Sequence, residues 1–132
     1  MSYQFTLTRL FFLLCSSDGS ISRRELDMSQ RMLETERLDR DQFQAEINIL
    51  KTAEHSRLLA DSISSLKQLS QREQVRAIAW LCVLANADGF MDKKEWQFIY
   101  RLYNTELGLS LNEIMNIQKQ LSRASRTAET VL

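Results

Sequence analysis

The chain has 132 residues, with 17 basic and 17 acidic side chains, no proline, three glycines and two cysteines. That length suits one domain burying about two-thirds of its unfolded surface, so stability asks for no metal or disulfide. Charges that cancel, with no block of one sign, exclude nucleic acid or an anionic membrane as the main partner and leave a protein or a small ligand.

In chain order, Leu7 to Ser17 reads as the first helix, apolar on nearly all sides through Leu10–Cys15, which belongs inside a bundle. The run is too short to span a membrane, and Leu14 is not the small residue that cleavage before a lipid-attached cysteine needs. Cys15 and Cys82, both inside apolar runs, read as buried reduced thiols of a cytoplasmic protein. Further helix starts are marked by Ser22, Asp39, Ser70, Asp92 and Ser110. Each is followed three residues later by Glu25, Gln42, Glu73, Glu95 and Glu113, the spacing of a capping box. Four carry apolar staple pairs: Ile21 with Leu26, Leu38 with Phe43, Met91 with Trp96, Leu109 with Ile114.

Another helix covers Ser56 to Leu69, and the fifth, Gln71 to Ala87, is again apolar on most sides. Gly108 reads as the left-handed residue that ends the sixth. No segment alternates with period two, so no sheet is expected. The fold class is all-α, a bundle of about seven helices in one domain spanning 1–132. Its first and fifth helices lie at the centre, and the tail from Arg123 frays for lack of apolar residues. On the sixth helix Trp96, Ile99 and Tyr103 share a face and read as core. Core is the preferred reading for this cluster; the alternative is that Phe98, which lies off that face, forms with Leu102 and Met91 an exposed strip that docks a protein partner or a second copy.

The chain repeats itself at an offset of 70 residues: Leu14, Asp18, Gly19, Glu25 and Arg31 recur as Leu84, Asp88, Gly89, Glu95 and Arg101. This points to an internal pseudo-two-fold duplication, with halves of about 5–55 and 70–122. Each half places Asp-Gly-x-apolar-x-basic-basic-Glu at a helix junction. Gly19 and Gly89 suit helix ends, and the downstream serine or aspartate suits a cap. Asp18 and Asp88 face the negative end of a helix dipole and require a positive partner. Free amides of the next helix, the basic pairs Arg23/Arg24 and Lys93/Lys94, or a divalent cation would each serve. Aligned on a calcium loop by its turn glycine, the first ligand position becomes Leu14 or Leu84, which argues against a working EF-hand. The second corner, with Asn86, Asp88, Asp92 and Glu95, is richer in oxygen than the first, with Asp18 and Glu25. Any cation is therefore expected there.

This paired DG-x-(I/M)-x-x-x-E corner on a proline-free helical chain resembles the TerB-like family of tellurite-resistance proteins, over about Phe5 to Leu121. It is also similar to the N-terminal domain of membrane-anchored DnaJ-like co-chaperones. The resemblance implies a bacterial, pseudo-symmetric all-α bundle. It also implies a metal-associated role for Asp18, Glu25, Asp88, Asp92 and Glu95. Ser17 stands where alanine commonly precedes the aspartate, and Ser22 stands opposite Asp92, which makes the first corner poorer in carboxylates. His55 is the single histidine and no glycine-rich phosphate loop is present, so no catalytic residue, resident cofactor or enzymatic reaction is expected. Two roles remain: an interaction or adaptor module of a stress-response system, or a divalent-cation-responsive protein using the acidic corners.

Overall fold

A computed structural model describes residues 2–16, 23–87 and 92–130, with side chains through Arg123. Seven α-helices follow one another among these residues: α1 (Tyr3–Ser16), α2 (Arg23–Thr35), α3 (Arg40–Leu50), α4 (His55–Gln68), α5 (Gln71–Ala85), α6 (Lys93–Tyr100) and α7 (Leu111–Thr130). A π-helical segment, Arg101–Glu106, continues α6. No strand occurs among the described residues, and no helix there is long and apolar enough to cross a membrane.

Local chemistry explains the boundaries. Asp39 opens α3 by accepting from the Gln42 amide at 2.9 Å. Ser70 and Glu73 close a reciprocal capping box at the start of α5: the Glu73 amide donates to Ser70 Oγ at 3.2 Å, and the Ser70 amide donates to Glu73 Oε1 at 3.3 Å. The Glu113 amide reaches Ser110 Oγ at 3.4 Å, a longer version of the same cap. Gly108 has φ +63°, the left-handed geometry expected of it, and the Leu109 amide reaches back to the Tyr103 carbonyl at 2.8 Å. A second left-handed residue was not anticipated: Arg37, at φ +56°, ends α2 and lets the Leu38 amide bond the Leu33 carbonyl at 2.8 Å. A non-glycine residue there costs about 1 kcal/mol, so the turn is held by what packs on it.

Packing puts α1 and α5 at the centre. On α1, Leu7, Leu10, Leu13, Leu14 and Cys15 are buried. On α5, burial is unbroken from Ala77 to Ala85. Helix α5 packs most extensively on α7 and also meets α1, α2 and α6, while α1 also touches α3, α4 and α6. Helices α2 and α6, which follow α1 and α5 in the chain, thus both lean on α5. Burial follows the offset of the repeat: Leu14 with Leu84, Glu25 with Glu95, and the consecutive pairs Met32–Leu33 and Leu102–Tyr103 are all buried.

The π-helical segment carries two consecutive buried side chains, Leu102 and Tyr103. For Leu102 and Phe98 the preferred core reading holds and the alternative docking strip does not. Leu102 is buried and Phe98 is half-buried against the core, and Met91 lies outside the described residues. The aromatic that faces outward is Trp96, which periodicity had assigned to the core.

Candidate functional site

Of the corner residues, Asn86, Asp92, Glu25 and Glu95 are described, whereas Asp18 and Asp88, with Gly19, Gly89, Ile21 and Ser22, lie outside the described residues. Asn86 is the last turn of α5 folded onto itself: its amide nitrogen and its side-chain Nδ2 both donate to the Cys82 carbonyl, at 3.1 and 3.0 Å. With Nδ2 so engaged, Oδ1 is the side-chain atom of Asn86 suited to a cation. Asp92 opens α6 by accepting from the Lys94 amide at 2.9 Å. The capping-box spacing had pointed to the Glu95 amide, one position further on, as the donor.

Glu95 instead turns inward and is 5 % exposed, and Glu25, its equivalent in the first half, is 4 % exposed. The Cys15 thiol donates to Glu25 Oε2 at 3.7 Å, so one of the two thiols sits against one of the two buried carboxylates. Among the described residues, no three His, Cys, Asp or Glu side chains converge in a way that would hold a metal ion. Both glutamates are thus buried, whereas Asn86 and Asp92 are less deeply placed.

The second thiol, Cys82, is buried on α5 among apolar neighbours, and burial pushes it up to about 11, which keeps it protonated and unreactive at neutral pH. Both cysteines are free, as the sequence suggested.

A polar centre that sequence reasoning missed lies between α1, α2 and α5. Glu36, one residue past α2, has a side chain 7 % exposed and accepts four hydrogen bonds. Its Oε1 accepts from Tyr3 Oη at 2.6 Å, Trp80 Nε1 at 2.7 Å and Arg76 Nε at 2.6 Å, and its Oε2 accepts from Arg76 Nη2 at 3.0 Å. Burial by itself would raise this carboxyl. The bonds from Arg76, Tyr3 and Trp80 together outweigh that effect and hold it below the usual glutamate range. The Tyr3 hydroxyl is pushed well above its ordinary value, first by burial and then by the carboxylate it donates to. A signal for this centre was present: Arg76 and Trp80 sit four apart on an otherwise apolar helix, and a buried indole N–H needs an acceptor. Nothing local named Glu36 as that acceptor.

On the outside, Trp96, Tyr100 and Tyr103 form an aromatic cluster with ring centroids 5.4 to 6.2 Å apart. Trp96 is 39 % and Tyr100 44 % exposed, while Tyr103 is buried beneath them. Burial, then the neighbouring Tyr100 and Cys82, raises the Tyr103 hydroxyl above its ordinary value.

The family model described as Tellurite resistance protein TerB matches residues 4–119, most of the chain. No curated protein matches, and no solved structure matches. The matched region runs from the first turn of α1 into α7 and includes both corners and Glu36, Arg76 and Trp80, so the chain belongs to the TerB tellurite-resistance family.

Proposed function

We propose that this protein is a non-enzymatic interaction module of a tellurite-resistance-like stress response, acting in the cytoplasm through its helical surface on a protein partner or a second copy. The observation that carries this reading is where the reactive groups are. Both thiols are buried, Cys82 is held protonated by its apolar surroundings, and the four-donor carboxylate of Glu36 is consumed in joining three helices. Side chains spent in this way build a rigid scaffold, and a rigid scaffold presents a fixed surface. The test is affinity purification of the tagged chain from the cells that make it, grown with and without tellurite. A stoichiometric protein partner, or a second copy, is the expected result. A chain recovered alone and monomeric under both conditions overturns the reading.

A second reading is favoured by the matched burial of Glu25 and Glu95, because two carboxylates taken out of water behind two acidic corners suit a nearby divalent cation. Asn86, Asp88, Asp92 and Glu95 would hold it in the second corner, with Asp18 and Glu25 as the poorer first set. Calorimetric titration of the metal-free protein with calcium, magnesium, manganese and zinc tests this. Binding at about one or two equivalents that disappears in an Asp88→Asn, Glu95→Gln variant of unchanged helicity supports the site. No heat at about millimolar cation removes it.

A further inference from the structure

The outer face of α6 combines an aromatic strip and a basic strip. Trp96 and Tyr100, one helical turn apart, stand exposed on a floor made by the buried Tyr103 ring, and Asn104 Nδ2 donates to Tyr100 Oη at 3.0 Å, fixing that ring's position. Beside them on the same helix and its π-helical continuation run Lys93, Lys94 and Arg101, all exposed. None of these three forms an ion pair with a described carboxylate. The acidic residues of the segment are engaged elsewhere: Asp92 caps α6, Glu95 is buried, and Glu106 pairs with Lys67 at 3.6 Å. The face is therefore an aromatic ledge bordered by three cations on a molecule whose net charge is zero.

We infer that this face docks an acidic peptide segment of a partner protein, one that sets an aromatic or aliphatic side chain on the Trp96–Tyr100 ledge and its carboxylates against Lys93, Lys94 and Arg101. This inference rests on the interaction-module reading and gives it a location and a partner chemistry. Trp, Tyr and Arg are the residue types that carry most binding energy at protein interfaces, because large rigid rings bury much area at small entropic cost. Here the rings are pre-placed by the packing beneath them. Adjoining cations that pair with no described carboxylate favour acidic partners and speed their approach. Single-stranded nucleic acid also combines stacking with anionic charge, and a net charge of zero disfavours it beside an acidic peptide.

The experiment is peptide selection: the intact chain is immobilised and a displayed library of random dodecapeptides is panned on it. Selected peptides are then measured by fluorescence anisotropy against the wild type, a Trp96→Ala, Tyr100→Ala variant and a Lys93→Glu, Lys94→Glu, Arg101→Glu variant, with thermal melting showing each variant folded. The expected result is enrichment of acidic sequences with an aromatic or aliphatic anchor. Their binding should weaken at least about tenfold in each variant and fall with added salt. Enrichment of neutral or basic peptides, no enrichment, or binding indifferent to both variants overturns the assignment. So does a single-stranded oligonucleotide that binds this face more tightly than the peptides, or self-association lost in the Trp96→Ala, Tyr100→Ala variant. Failure here is distinct from failure of the module reading. If the partner recovered from cells still binds the aromatic variant, only this face is wrong. If no partner is recovered at all, the module reading itself falls.

Discussion

Replacing Glu36 by glutamine removes one charge from the centre of the bundle while keeping its shape, and the structure fixes how much that should cost. Oε1 accepts three bonds and can keep most of them as an amide carbonyl. The position of Oε2 becomes an NH2 group facing Arg76 Nη2, donor against donor, at a site where the carboxylate was 3.0 Å away. The guanidinium loses its bidentate partner. Removing one member of a buried pair costs about 3–5 kcal/mol, and the Arg76 side chain is about one-third exposed, so water recovers part of the loss. We expect about 3 kcal/mol, a large share of the roughly 5–15 kcal/mol that holds a domain together, and a fall in Tm of about 10 °C.

Urea unfolding followed by far-ultraviolet circular dichroism measures the loss, with Glu34→Gln as the control, since that exposed pair with Arg40 should contribute under about 1 kcal/mol. The pH dependence gives a second reading. The folded-state pKa of Glu36 lies below its unfolded value, so its contribution is complete above the ordinary glutamate value of about 4.3 and fades as pH falls through the folded pKa. The gap between wild type and variant should be full at neutral pH and close in acid. A cost no larger than that of Glu34→Gln, or a gap that survives unchanged to about pH 2, would refute the assignment of a charged, four-donor hub.

Other expectations follow from single sites. Gly108→Ala should destabilise by about 1 kcal/mol through backbone strain alone, because an added Cβ meets nothing within 4 Å; chemical denaturation at unchanged slope checks it. Ser70→Ala, which opens the reciprocal capping box of α5, should cost about 1 kcal/mol in the same assay. Acrylamide should quench only part of the tryptophan emission, because Trp80 is sealed against Glu36 and Trp96 is exposed. Trp96→Phe should leave a blue-shifted, quencher-resistant spectrum. Iodoacetamide should modify Cys82 slowly in the folded protein and rapidly in denaturant, with the native rate rising only toward about pH 11.

Helix type, most boundaries and the central place of α1 and α5 were legible in the residues themselves. Caps such as Asp39 and Ser70 and the turn at Gly108 are settled by groups within a few positions, so spacing is sufficient evidence for them. The run Ala77–Ala85, apolar on every side, can only be central. The candidate site was legible only in part. The repeated acidic corners stand out in the sequence, yet the inward turn of Glu25 and Glu95 depends on how α2 and α6 lean on α5, and a capping-box spacing does not report it.

Tertiary structure alone decided three things. Glu36 found its donors 33 to 44 residues away, beyond any local pattern. Arg37 took left-handed geometry because the packed turn outweighs the preference of its side chain. Leu102 and Tyr103, in the π-helical segment after Tyr100, are buried, while Trp96, on the preceding α-helical turn, stays outside. Sequence thus determined what each short segment is, because hydrogen bonds and side-chain sterics act locally. Which side chains meet, and which remain on the surface, was decided by the packing of helices that are distant along the chain.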